Sequence, residues 1–221
     1  MCNSECWYAE VCTNYKEGCE KTCPRYIEMK FLMDNSNIPK SKQKPLALYP
    51  SECDLGAFQR LAEIKDNIVD FVDNGRNLYI TSRTVGNGKT SWALKLLMKY
   101  FEEVWEGNGL EPRGCIVHVP TFLLKCKDFK NTDEEFEKLK RLVLDVDLVV
   151  WDDIAGMTMS NYDYSQLLVC LDAREFKGLA NIFTGNLTSR EDLSNALGAR
   201  ITSRVWNSNT EVIEFFGGER R

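Results

Sequence analysis

Several things are scarce in this chain of 221 residues, and each scarcity excludes something. No apolar run approaches the roughly 18 residues that a membrane-spanning helix needs, so no span and no membrane partner are expected. No secretory signal pattern opens the chain. The N-terminus is polar instead, which points to a cytoplasmic protein. Histidine is nearly missing: His118 is the only one, and it falls in an apolar stretch where a packed ring is expected. Neither charge dominates. The 28 Lys and Arg face 33 Asp and Glu, for a net charge of −5, so any contact with nucleic acid must come from a local patch. Internal repeats and low-complexity segments are absent. What remains is a length suited to one substantial core with a small additional module.

Cysteine is abundant, and its placement is uneven. Five of the nine lie in the first 23 residues: Cys2, Cys6, Cys12, Cys19 and Cys23, with Trp7, Tyr8, Tyr15 and Tyr26 between them. The other four, Cys53, Cys115, Cys126 and Cys170, sit in apolar sequence and read as core residues. A segment as short as 1–34 cannot bury enough apolar surface to offset its chain entropy. Four thiolates on Zn²⁺ would supply the missing stability, and a dense cysteine cluster without a secretory signal favours a metal over a disulfide framework. Two ligand sets are open: Cys6, Cys12, Cys19 and Cys23, or the pairs Cys2/Cys6 and Cys19/Cys23. A reduced, unliganded arm and an iron–sulfur cluster are the competing readings.

Residues 35–54 read as a linker, broken by Pro39, Pro45 and Pro50 and solvated by Lys40, Lys42 and Lys44. Beyond it, Phe58, Leu61, Ile64, Ile68 and Phe71 recur at helical steps, with Gly75 as a terminator. Strands are expected at Asn77–Ser82, Cys115–Val119, Leu148–Trp151, Asn181–Thr184 and Glu211–Phe216. Helical patterns separate them: a face from Ala93 to Val104, a short helix near Thr121–Phe129, and a helix capped by Thr132 with Glu135. Two further helices hold Leu167, Leu168 and Leu171, and Leu193 to Val205. Such alternation predicts an α/β fold with a five-stranded parallel sheet covered by helices on both faces, over residues 55–221.

The residues that carry chemistry sit at strand ends. Leu78–Ser91 reads as a strand, a glycine-containing loop and a helix opening on Lys89. Gly86 and Gly88 let successive amides converge on one point, and the helix N-terminus adds its own free N–H groups. This is a phosphate-binding loop, in which Thr84, Val85, Gly86, Asn87, Gly88, Lys89, Thr90 and Ser91 would contact nucleotide and Thr90 would ligate Mg²⁺. The pattern G-x-x-x-x-G-K-[ST] asks for glycine where Arg83 stands. A second apolar strand ends in Asp152 and Asp153. Asp152 would hold the Mg²⁺ shell, and Asp153 would orient or deprotonate an attacking water. Alone, two acids starting a turn would be unremarked; the phosphate loop upstream gives them meaning. Asn186 follows the fourth strand, where it can reach a γ-phosphate or the water. Arg200 and Arg204 share a helix face with no acidic residue four positions away, so either guanidinium is open to a partner.

In order, these pieces resemble the AAA+ ATPases, and more closely the replicative-helicase loaders of the DnaC/DnaI type from bacteria and phages. The motifs are GNGKT at Gly86–Thr90, the VVWDD strand, TGN at Thr184–Asn186, and ARITSR at Ala199–Arg204. VHVPTFLL at Val117–Leu124 and LDAR at Leu171–Arg174 add to the likeness. The resemblance implies a first sensor at Asn186 and an arginine finger at Arg204, with Arg200 as the second choice. It implies a possible contact between Arg174 and a neighbour's nucleotide. It also implies an absent C-terminal lid and a zinc-binding helicase-interaction module at the N-terminus. Two residues depart from the family pattern: Arg83 bears on nucleotide affinity, and Asp153, where glutamate is more frequent, bears on hydrolysis rate.

The expected activity is therefore ATP hydrolysis, slow and dependent on assembly, by a loader that places a hexameric replicative helicase on single-stranded DNA. Its cofactors would be ATP, Mg²⁺ and Zn²⁺, and it would self-associate through the ATPase domain. Lys125, Lys127 and Lys130 would face a central pore or simply form a solvated helix face. The alternatives are an adaptor of a transposition system, a nucleotide-sensing binding protein with little turnover, and, as a poor fit, a small-molecule kinase.

Overall fold

Five short runs rich in Val, Ile and Leu form five strands: β1 Asn77–Thr81, β2 Gly114–His118, β3 Leu148–Asp152, β4 Ala180–Gly185 and β5 Thr210–Glu214. They pair in parallel in the order β2-β3-β4-β1-β5. The computed structural model describes residues 6, 7, 9, 12, 19–44, 46–104, 109–128 and 133–219. The four inner and leading strands are buried nearly throughout, because helices cover both faces and leave no polar side to the alternation.

One face carries α4 (Lys89–Val104), whose Ala93, Leu96, Leu97, Tyr100 and Phe101 pack on Leu78, Ile80, Val150 and Ile182. Outside it lie α1 (Pro24–Asp34), α2 (Leu55–Asp66) and α3 (Ile68–Asp73). The periodic stretch ending at Gly75 is thus two helices, broken at Asn67, although its expected apolar residues are all buried. The other face carries α5 (Val119–Cys126), α6 (Glu134–Asp145), α7 (Asn161–Lys177) and α8 (Arg190–Val205) over Tyr79, Val117, Val149, Trp151 and Phe183. Helix α7 opens on a capping box between Ser160 and Asp163. Helix α6 is capped by Asp133, whose carboxylate accepts from the amides of Glu135 and Phe136. Thr132, the expected cap, lies outside the described residues. Helix α8 kinks at Gly198, whose φ of 76° and ψ of 156° are non-helical, so Ala199–Val205 forms its own short helical segment.

Pro39 and the lysines of 35–44 suggest a solvated path, yet this stretch lies along the edge of β2. The Ser36 carbonyl accepts from the Ile116 amide at 2.9 Å, and Asn37 Nδ2 donates to the Ile116 carbonyl at 2.7 Å. Ile38 is buried beside Met29, Leu32 and Met33 of α1. An otherwise open strand edge is thereby covered.

The zinc module finds no support among the described residues. They contain no group of three or more His, Cys, Asp or Glu able to hold a metal. Cys6 and Cys12 pack half-buried against the core around α4, while Cys19 is half-buried and Cys23 precedes α1. Cys2 lies outside the described residues. Of the four cysteines expected in the core, Cys115 is fully buried, Cys126 and Cys170 are half-buried, and Cys53 is exposed. Among the described residues no helix is long and apolar enough to cross a membrane.

Candidate active site

Strands β1 and β4 are neighbours, but their following helices leave towards opposite edges of the sheet, α4 leading to β2 and α8 to β5. The crevice that this opens at the carboxyl ends of the strands is where α/β sheets bind ligands. The loop after β1 fills one side of it. Gly86 and Gly88 take φ of 74° and 101°, which side chains resist, and the two turns bend the chain back into α4. Arg83 has no positive φ, so glycine is not needed there. Its side chain is exposed and reaches Thr188 through Nε at 3.3 Å. The tight turn survives the departure from the motif.

Lys89 is 9% exposed, and its ammonium donates to the Thr84 carbonyl at 2.9 Å and to Asn87 Oδ1 at 3.3 Å. Burial lowers its pKa; the charges of Asp153 and Asp152 oppose that. Its present partners are neutral oxygens of its own loop, which a phosphate can replace. Asn87 is buried and turns inward to Ser82 Oγ, so it shapes the loop, leaving only its main chain for a ligand. Val85 is exposed at the tip, and Ser91 lines the adjoining cavity.

Across the crevice, Asp152 ends β3. Its Oδ1 accepts from Thr90 Oγ1 at 2.6 Å and from Thr184 Oγ1 at 2.7 Å. A carboxylate beside a hydroxyl is a hard-oxygen donor set of the kind Mg²⁺ takes. Thr184 is 2% exposed and also accepts the Asp153 amide at 3.0 Å. One hydroxyl therefore sets both acids, a role not visible when Thr184 is read only as the residue before Asn186. Asp153 has φ of 58°, one of two non-glycine residues with positive φ among the described residues. Its carboxylate lies over Gly156, where an added Cβ would stand 2.0 Å from Oδ2.

Asn186 is exposed at the end of β4. The chain beside it is pinned from β1: the Tyr79 hydroxyl and Thr81 Oγ1 both donate to the Leu187 carbonyl at 2.8 Å. Burial pushes the Tyr79 phenol up to about 12, so it stays a donor at neutral pH. A cavity of about 520 Å³ adjoins the loop, lined by Gly86–Trp92 and by Lys42, Ala47, Leu48, Tyr49 and Phe58. The tail after β5 returns towards it. Asp54, fully buried, accepts the amides of Phe216 and Gly217, and the Glu219 side chain packs on Gly86. Tyr49 and Asp54 lack any local motif, and only the fold shows their place.

Arg204 lies elsewhere. Its carbonyl accepts from Asn77 Nδ2 at 3.0 Å, at the amino end of β1, and its guanidinium meets Asp172 and Glu175 of α7. With about 3.3 Å per strand residue, the length of β1 separates it from its own loop. Arg200 is 3.5 Å from Asp172. Arg174 has no donor left over for a nucleotide. It is fully buried and donates to the carbonyls of Val143, Val146, Asp147 and Ala180 and to Asn181 Oδ1. Lys125 pairs with Asp133 and Lys127 with buried Asp163, so neither is a bare pore residue; Lys130 lies outside the described residues. His118 is exposed, not packed: it ends β2 beside Asp152 and pairs with Thr121 Oγ1 at 2.8 Å.

The loop after β1 and the strand order β2-β3-β4-β1-β5 give this chain the α/β fold of solved AAA+ P-loop proteins. Solved structures with this fold include the DnaC helicase loader, at 18% identity and a TM-score of 0.62, covering 76% of this chain and 93% of that one. DnaI is similar at 18% identity and 0.62, covering 81% and 95%. AMPPCP-bound DnaA from Aquifex aeolicus matches at 17% and 0.53, covering 76% and 48%. No protein-family profile matches the chain, and neither does any curated protein. At these identities the likeness is one of fold.

Proposed function

We propose that this chain is an ATP-driven loader of a hexameric replicative helicase onto single-stranded DNA. The observation that carries the reading is the division of the site. Lys89, Thr90, Asp152 and Thr184 converge at the carboxyl edge of the sheet, while Arg204 stands at the amino end of β1. A single chain thus holds a phosphate loop and a guanidinium that cannot meet each other. Head-to-tail self-association would join them across an interface. Similarity to DnaC and DnaI supports the loader role, and the AMPPCP-bound DnaA supports nucleotide in the crevice.

In this reading the loop amides and Lys89 bind the phosphates of ATP. Thr90 and Asp152 would hold Mg²⁺, which would supply charge neutralisation to the phosphates. Asp153 and Asn186 orient the attacking water, and Arg204 of a neighbour faces the transferred phosphate. Zinc carries no part of the argument, since the described cysteines form no ligand group.

The test is co-purification with the replicative helicase of the same cells, with and without ATP. A complex is expected that depends on residues 1–34. Lys89→Ala should fold normally, lose nucleotide binding by about a hundredfold or more, and no longer release or load the helicase in response to ATP. No complex with any hexameric helicase would sink the loader role. Unchanged ATP affinity in the lysine variant would sink the nucleotide site.

A further inference from the structure

Arg204 carries two carboxylates on one nitrogen. Its Nε donates to Asp172 Oδ1 at 2.7 Å and stands 2.8 Å from Glu175 Oε2. Nη1 is 3.4 Å from Ser203 Oγ, and Nη2 has no partner among the described residues. A guanidinium is a rigid plane, so fixing Nε fixes the direction of the two terminal groups that grip a phosphate. The main chain of Arg204 is fixed as well, through the bond from Asn77 to its carbonyl.

Stability does not account for this arrangement. The side chains of Arg204, Asp172 and Glu175 are 29%, 35% and 47% exposed, where ion pairs contribute little to folding. Asp172 also attracts Arg200, whose Nη2 lies 3.5 Å from Oδ2, the oxygen that Arg204 does not use. The arrangement orients one guanidinium and leaves its outer donors without a carboxylate.

We propose that Asp172, assisted by Glu175, is a positioning residue: it aims Arg204 at phosphates bound in the loop of a second copy of this chain. The inference rests on the reading of Arg204 as part of a neighbour's site. Asp172 touches neither substrate nor metal, and acts only through the arginine.

The test uses Asp172→Asn, which keeps the shape and removes the charge, and Glu175→Gln as a milder variant. ATPase is measured in assemblies of the full chain. For D172N we expect kcat to fall roughly ten- to a hundredfold with KM for ATP unchanged, as for a misplaced catalytic group. Its melting temperature should stay within about 2 °C of wild type. D172N is then mixed with excess Lys89→Ala chain, which has an intact Arg204 but a disabled loop, and Arg204→Ala is mixed in the same way. Both mixtures should regain turnover, because the lysine variant lends its well-aimed arginine. Wild-type turnover in D172N overturns the proposal while leaving the finger in place if R204A is still rescued. Loss of turnover in D172N that the mixture fails to restore places Asp172's effect inside its own subunit, and also overturns it. If R204A is not rescued, or wild-type assemblies show no turnover, the shared-site reading falls and the proposal with it.

Discussion

The two ends of the parallel sheet handle polar groups in opposite ways. At the amino end, Arg174, Asn181, Asn77 and Trp151 form a closed buried network. Asn181 Oδ1 accepts from Trp151 Nε1 and Arg174 Nε, and Asn181 Nδ2 donates to Asn77 Oδ1. Every donor of the guanidinium is used, and burial lowers its pKa to about 10 without approaching neutrality. At the carboxyl end, Lys89 holds only neutral oxygens of its own loop, and Asp152 Oδ2 has no hydrogen-bond partner among the described residues. Both ends contain a buried cation. One is saturated and serves the fold; the other keeps capacity for a ligand. Saturation, not residue type, separates structural from functional charge here.

That contrast can be broken most forcefully at Arg174. Replacing it with Leu removes one donor from each of four carbonyls and from Asn181 Oδ1, and should cost about 3–5 kcal/mol, read as a lower denaturation midpoint or loss of soluble protein. Stability near wild type would refute the structural assignment. A change at the carboxyl end should act on ligand binding more than on folding. Thr184→Val removes the hydroxyl shared by Asp152 and the Asp153 amide, and Mg²⁺-dependent nucleotide affinity should drop about tenfold by titration calorimetry. The smallest effect belongs to Arg83→Gly. Its side chain is exposed with one 3.3 Å contact, so affinity should shift by no more than about twofold and stability by less than about 0.5 kcal/mol. A large gain in affinity would show that this residue weakens the loop after all.

Much of the layout was readable before any coordinates. All five strands are legible in the sequence to within two residues, four of them as the mainly apolar runs that a sheet buried on both faces requires. The glycine loop after β1 and the two acids at the end of β3 are equally plain, being local in sequence. What was hidden was long-range. Arg204 showed no partner four residues away because its carboxylates lie on another helix, more than a full strand and turn distant in the chain. Arg174 looked like a functional arginine because no local pattern reveals four carbonyls converging from three segments. The apolar run around His118 suggests a packed ring, but an apolar strand still has an end, and that end is exposed. The cysteine spacing suggested a ligand set, but spacing does not show whether the thiols meet.

The turn after Asp152 has a consequence for how this sequence can drift. Asp153 sits in left-handed backbone, a conformation that aspartate accepts more readily than longer side chains. Its carboxylate occupies the space that any side chain at position 156 would need. The side chain at 153 and the absence of one at 156 therefore constrain each other. A side chain longer than aspartate at 153, or any side chain at 156, requires the turn to move, so the two positions are best changed together.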